Sequence, residues 1–345
     1  MNEKQIKRQV EVIRLSQERL ITVANAEWYS LFKDEIRNSI AIEGVFANKQ
    51  ELAEVLEHNK KTDKQKAAAI LGYYDAATSM YEYANNQWKE KEFMLRMADV
   101  KQIHTILMRY EKDNGTYIGE IGEFRRTTAE VTSSTFTPCD HFCLRPAMEL
   151  MISWVNSQIG KNRISPLALA AIAHVWFETI HPFRDGNGRV GRILLNYILI
   201  GCGYLNISIK GWSKKNRDIY YDALESSDDC FEGLIRQIEN NKKITLAEAG
   251  ELVHSDSCVS LEKIICTQLE ETIKRFQKIK KPLEVNSQAI VPLRDLADLY
   301  DYSQDYLRNL INRGHLKAHK KGKLWYVKVK DMMDYINSHS VQQGQ

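Results

Sequence analysis

The sequence predicts a mostly α-helical protein with a small β-hairpin flap and a winged helix-turn-helix at its C-terminal end. Three observations carry that prediction. Apolar residues recur at helical spacing from residue 1 to about 110 and from about 145 to 275, with few glycines or prolines inside those stretches. Between them, RTTAEVTSSTFTP (126–138) is rich in Thr and β-branched residues and has no helical period, which suits a hairpin or extended flap. KKPLEV (280–285) breaks a charged helix at Pro282 and reads as a linker, after which the pattern changes. At 345 residues the chain exceeds one ordinary core, with about 150 residues per domain as the norm.

Composition narrows the functional class. A chain with 43% hydrophobic and 27% charged residues is globular, neither disordered nor fibrous. The net charge of +3 is nearly neutral, so charge must be read segment by segment. The N-terminus, MNEKQIKRQVEVIRLSQERL, alternates charge with aliphatics and lacks the apolar core of an export signal. The uncharged run between Arg192 and Lys210 contains Asn196, Gly201, Gly203, Asn206 and Ser208 and falls short of the ~20 apolar residues of a membrane span. A cytoplasmic protein with no membrane partner is expected. The six scattered cysteines then read as free thiols. Cys139, His141 and Cys143 lie close together but complete no zinc spacing.

Taken in order, the first helical region (1–90) places Trp28, Leu31, Phe32, Ile36 and Ile40 on a packing face, with Ser39 and Glu43, four residues apart, sharing one side of the same helix. Ser165 and Pro166 form a strong helix start, a hydroxyl N-cap followed by proline at the first helical position. Leu169, Ile172, Val175, Trp176 and Ile180 make that helix a core element. Pro182 disfavours the α conformation at His181, so the helix ends there and His181 projects into a loop that Phe183 anchors. Gly186-Asn187-Gly188 then turns the chain into a second apolar helix, RVGRILLNYILI.

The loop HPFRDGNGRVGR (181–192) is where chemistry concentrates. A glycine-rich turn feeding a helix presents free backbone N–H groups and a positive dipole end, which favour bound phosphate. Arg189 and Arg192 are cations near the helix end that disfavours them, so an anion nearby is the simplest compensation. Asp185 offers a hard oxygen ligand suited to Mg2+, which binds one carboxylate together with substrate phosphates. His181 has the character of a general base acting on a hydroxyl. His174 suggests a His174–His181–Asp185 metal site of a hydrolase, a weaker reading because such a site has no need of two arginines.

Beyond the linker, LRDLADLY and SQDYLRNLINRG form two helices around a turn at Asp301 and Tyr302, the second capped by Ser303 and closed by Gly314. HLKAHKKGKLWYVKV alternates around Lys321-Gly322 as a wing would. This segment resembles winged-helix domains. Arg313 to Lys330 holds seven Lys or Arg and no acid, so DNA is a candidate partner, against the plainer reading of a solvated wing.

HPFRDGNGRVGR resembles the signature of Fic-domain proteins: His, any residue, Phe, any residue, an acid, GNGR, two residues, Arg. Every fixed position is present. The resemblance spans roughly residues 90–240, with GEFR (122–125) and the Thr-rich stretch matching the family's flap region. It implies a Fic-type helical bundle that transfers AMP from ATP to a Ser, Thr or Tyr hydroxyl of a target protein. It also implies roles: His181 as base, Asp185 holding magnesium, and the backbone of Gly186, Asn187 and Gly188 as anion hole, with Asn187 contacting the α phosphate. Arg189 and Arg192 would bind the β and γ phosphates, and the flap near Val131 to Thr135 would clamp the target as an added strand. SIAIEG (39–44) resembles the family's inhibitory pattern, which implies that Ser39, Glu43 and Gly44 form a helix whose Glu43 pairs with Arg192 and denies it to the γ phosphate. The same resemblance makes self-modification and a homodimer expected.

The expected organisation is an inhibitory helical region (1–90), a catalytic core (91–240), a helical linker (241–285) and a winged helix (286–345). Two other functions remain open: removal of AMP with Glu43 positioning a water, and a DNA-binding regulator whose core senses nucleotide.

Overall fold

The computed structural model describes residues 1–15, 19–58, 63–129, 138–161, 163–240, 242–280, 290–300, 302–322 and 324–340. The chain divides into two compact units, Met1–Arg275 and Phe276–Gln345. The first contains α1 (Glu3–Leu15), α2 (Ala26–Ile42), α3 (Lys49–His58), α4 (Lys64–Glu90), α5 (Met97–Asp113), α6 (Leu144–Gln158), α7 (Pro166–Ile180), α8 (Asn187–Gly201), α9 (Lys214–Glu225), α10 (Asp228–Glu239), α11 (Leu246–Leu252) and most of α12 (Val259–Lys280).

The core is built around α7 and α8, which pack on each other, with α4 and α5 packed on α8. Both central helices are buried along almost their whole length, and Ile193, Leu194, Leu195, Tyr197, Ile198, Leu199 and Ile200 of α8 are completely buried. Ser165 starts α7 by accepting the Ala168 amide at 3.0 Å, with Pro166 at the first helical position. Gly72 lets α4 approach α5 closely, because a Cβ there would collide with the Leu107 carbonyl.

The placement of α2 determines what the site looks like. Its N-cap Asn25 accepts the Trp28 amide at 3.0 Å, and Trp28, Leu31, Phe32, Ile36 and Ile40 are buried as the periodicity requires. Glu35 is buried in the middle of the same helix and accepts hydrogen bonds from Tyr73 (2.8 Å), Tyr81 (2.5 Å) and Asn206 (2.7 Å), tying α2 to α4 and to the segment after α8. Burial pushes its carboxyl up to about 7, against the opposing pull of those three donors.

The second unit contains β1 (Ile290–Pro292), α13 (Leu293–Tyr300), α14 (Gln304–Asn312), β2 (Ala318–Lys321), β3 (Leu324–Lys328) and α15 (Val329–Ser340). Its antiparallel sheet has the order β1-β3-β2, with Val291 opposite Val327 and His319 opposite Tyr326. Leu293, Leu296, Leu307, Leu310, Leu316, Val327, Val329 and Met332 form its core. The two helices and the wing read from the sequence are present, and Ser303 caps α14 by accepting the Tyr306 amide at 3.0 Å.

One expectation meets a different arrangement. The stretch 241–285, read as a helical linker, contributes α11 and most of α12 to the first unit, where Leu261, Ile265, Leu269 and Ile273 are buried. Arg275 donates to Asp34 at 2.8 Å and to Ser30 at 3.0 Å, so α12 is fastened to α2. Charged residues on one face of α12 made it read as a spacer, while its buried stripe follows the ordinary spacing of three and four. The proposed flap strands (Val131 to Thr135) and the Pro282 break lie outside the described residues.

A chain ending at Lys280 is expected to fold, since the first unit carries its own core. Circular dichroism and thermal unfolding check this: one cooperative transition with high helicity is the expected result, and a collapsed or unfolded product contradicts it.

Candidate functional site

The site forms where α7 ends and α8 begins. His181 caps α7 in the left-handed region, at φ 52 and ψ 58, and its amide donates to Phe177 O at 2.9 Å. The proline that follows leads one to expect an extended residue; instead His181 sits in a conformation sparsely populated by non-glycine residues. Its Nδ1 lies 3.3 Å from the Glu178 carbonyl, which calls for a proton on Nδ1 and leaves the Nε2 lone pair free. Burial lowers its pKa to about 4, so the imidazole is neutral at physiological pH.

The loop backbone is held from several directions. Arg125 donates through Nε to the His181 carbonyl (2.8 Å) and through its amide to the Pro182 carbonyl (2.9 Å). Asn187 closes the loop on itself, its Oδ1 accepting the Phe183 amide at 2.9 Å and its Nδ2 donating to the Phe183 carbonyl at 2.8 Å. The Asn187 side chain is thereby committed to loop closure. Gly186 has φ 79, a left-handed turn natural to glycine, and α8 has no side-chain cap, so its first amides are open donors at a positive dipole end. Asp185 presents an exposed carboxylate beside them, accepting the Gly186 amide at 2.5 Å.

Arg192 and Glu43 meet across this turn. Arg192 donates from Nη2 to Glu43 Oε1 at 2.5 Å and to the Ser39 carbonyl at 3.1 Å, and from Nε to the Ser39 hydroxyl at 2.8 Å. The Arg192 side chain is 3% exposed and that of Glu43 37%. Burial raises the Glu43 carboxyl, but the charge and hydrogen bond of Arg192 outweigh it and hold the group below the usual carboxylate range. Gly188 matters here, since a Cβ on it would run into Glu43 Oε1. Gly44, at φ 81, terminates α2 just beyond Glu43 and sends its amide back to Ala41 O at 3.1 Å.

Every site residue named from the sequence therefore falls in one place, apart from the hydrolase alternative. His174 is buried and its Nε2 pairs with Tyr220 OH at 2.7 Å, and no group of three or more metal-type ligands occurs among the described residues. Cys139 and Cys143 are free, and His141 pairs with Asp140. Arg189 is engaged by the Glu111 carboxylate and leaves its buried Nε without a partner among the described residues. Glu111 and His104 were not visible as site residues in the sequence. Their signal is the spacing 104, 108, 111 on one face of α5, where Met108 also touches Arg189 at 3.6 Å.

The chain resembles known proteins in sequence and in fold. Residues 94–199 match the Fic/DOC family and residues 293–340 a helix-turn-helix domain. The chain is 26% identical over 306 residues to a probable protein adenylyltransferase of Aquifex aeolicus, covering 88% of this chain and 87% of that one. It is 31% identical over 198 residues to the protein adenylyltransferase Fic of Aedes aegypti, covering 56% of this chain but only 36% of the relative. Among solved structures, a Fic domain containing signaling protein from Bacteroides thetaiotaomicron superposes with a TM-score of 0.62 at 19% identity, over 80% of this chain and 96% of that one. Fic-1 from C. elegans gives a TM-score of 0.56 at 18% identity, over 81% and 72%.

The buried imidazoles set a pH dependence of stability. His104, His174 and His181 have pKa values lowered by burial to about 4, about 3 and about 4 from 6.5, so the unfolded chain takes up protons below pH 6.5 that the folded chain refuses. Glu35, raised to about 7 from 4.5, works in the opposite sense, but it is one group against three. The thermal midpoint is expected to fall as pH drops from 6.5 to 4.5; a flat or rising midpoint over that interval contradicts neutral burial of these rings.

Proposed function

We propose that this chain, a member of the Fic family, is a protein adenylyltransferase that transfers AMP from ATP to a hydroxyl side chain of a target protein and is held in check by its own Glu43. The observation that carries the reading is the convergence of a neutral, oriented His181, an uncapped α8 N-terminus, Asp185 and a buried Arg192 at one loop. The named relatives support the class of reaction.

In this reading the target hydroxyl binds with its proton toward His181 Nε2. The imidazole takes that proton as the oxygen attacks the α phosphorus, and the bond from the α phosphorus to the bridging oxygen breaks, releasing pyrophosphate. The amides of Asn187, Gly188 and Arg189 stabilise charge on the phosphate oxygens in place, with no reorganisation cost at the moment of reaction. Arg192, once parted from Glu43, meets the γ phosphate, and the partnerless Arg189 Nε is a further donor close by. Asp185 fits a magnesium ion: it is a single exposed hard-oxygen ligand beside a phosphate nest, as suits a cation that keeps waters and phosphates in its shell. When bound, magnesium would neutralise charge on the phosphates and the leaving group.

Glu43 defines the regulation. Its carboxylate and the γ phosphate compete for one guanidinium. The reverse chemistry, hydrolytic removal of AMP with Glu43 orienting water, uses the same loop; an AMP-modified substrate separates the two by its product. The matched helix-turn-helix and the basic wing, with exposed Lys320 and Lys321, support duplex DNA as a second partner of the C-terminal unit. Retention on DNA that falls steeply with salt would establish that partner, and salt-insensitive or absent retention would remove it.

His181→Ala is expected to lower AMP incorporation by at least 10²-fold, the usual contribution of a general base, while ATP binding persists because the amide nest is intact. Radiolabelled transfer beside equilibrium ATP binding measures both. Undiminished transfer overturns the base assignment, and absence of transfer by every form of the chain overturns the reaction class.

A further inference from the structure

Carbonyl groups of the loop at 181–186 are held by the surrounding protein. The His181 and Pro182 carbonyls accept from Arg125, the Phe183 carbonyl from Asn187 Nδ2, and the Gly186 carbonyl from the Val190 amide at 2.9 Å. The Asp185 carbonyl accepts from His104 Nε2 at 3.2 Å. With these carbonyls drawn into protein hydrogen bonds, the loop backbone is fixed just ahead of the uncapped first amides of α8. His104 is the support for the residue that stands immediately before the nest and carries the metal-binding carboxylate.

Its other contacts make it more than a single hydrogen bond. Nδ1 accepts the Gly122 amide at 2.8 Å, which leaves the proton on Nε2, the atom facing Asp185. The ring lies parallel to Phe183, with centroids 3.9 Å apart and planes 5° apart. It is completely buried. One side chain on α5 thus touches the loop at Phe183 and Asp185 and touches the GEFR segment at Gly122, whose φ of 75 already demands glycine. Gly122 opens the stretch that leads through Arg125, itself bonded to the loop at His181 and Pro182, into the region expected to receive the target.

We propose that His104 is a positioning residue, which fixes the Asp185 carbonyl and the Gly122 amide in one register and so holds the phosphate nest against the GEFR segment in the geometry that transfer requires. It touches no reacting atom. The proposal rests on the transfer reading given above, and its effect runs through alignment: a displacement of an ångström at a reacting centre costs about 10²-fold in rate.

The test uses the full chain carrying Glu43→Gly, so that the ion pair with Arg192 does not limit the rate. His104→Phe keeps a ring against Phe183 and removes both hydrogen bonds; His104→Gln restores a donor that reaches Asp185. His104→Phe is expected to lower kcat for AMP incorporation about 10 to 100-fold with KM for ATP little changed, and to speed amide hydrogen exchange in residues 183–190. His104→Gln is expected to recover most of both. An unchanged kcat and unchanged exchange in His104→Phe overturn the proposal, as does an equal loss in both variants that tracks a fall in thermal midpoint. If even the parent chain transfers no AMP, the transfer reading has failed, and the exchange data still decide whether His104 holds the loop.

Discussion

The contact on which the site depends is the pairing of Arg192 with Glu43. Each charge is at the wrong end of its own helix. Glu43 is the C-cap of α2, where the dipole disfavours an anion, and Arg192 lies in the second turn of α8, near the end that disfavours a cation. Brought together, the C-terminus of α2 and the N-terminus of α8 compensate each other, and the two side chains do the same. A phosphate is the natural alternative partner for Arg192, because the uncapped amides of α8 attract the same charge.

That arrangement needs α2 to be fixed independently of the ion pair, and it is. Glu35 receives three hydrogen bonds from α4 and from Asn206. Asn38 accepts the amides of Gly211 (3.0 Å) and Trp212 (3.3 Å) and donates to Ser208 at 3.1 Å, and Tyr221 OH donates to the Ile42 carbonyl at 3.2 Å. Substitution at Glu43 therefore changes the charge beside Arg192 while the helix stays anchored. On the opposite side, α5 supplies Glu111 to Arg189 and His104 to the loop, so the nest is enclosed by two helices that approach from different directions.

Much of this was legible in the sequence because local chemistry decided it. Ser165-Pro166 marks a helix start, the apolar runs of α7 and α8 mark buried helices, and the glycines flanking Asn187 mark a turn whose amides face outward. The ion pair was legible only by joining two motifs more than a hundred residues apart through a family resemblance. What stayed hidden was tertiary. Nothing near Glu111 or His104 shows that α5 faces the loop, and the charged surface of α12 conceals that its other face is core. The use of the Asn187 side chain to close the loop on the Phe183 backbone was likewise not legible, because it depends on the folded turn bringing the two together.

The most direct test of the competition for Arg192 is the rate of AMP incorporation, read by intact-mass spectrometry, in the wild-type chain and in Glu43→Gly, with Glu43→Gly/His181→Ala as the inactive control. The account predicts an increase of about 10 to 100-fold in Glu43→Gly, since the guanidinium no longer has to leave a charge-assisted partner, and none in the double variant. An unchanged rate in folded Glu43→Gly would contradict it and leave Glu43 as a structural partner of Arg192 alone.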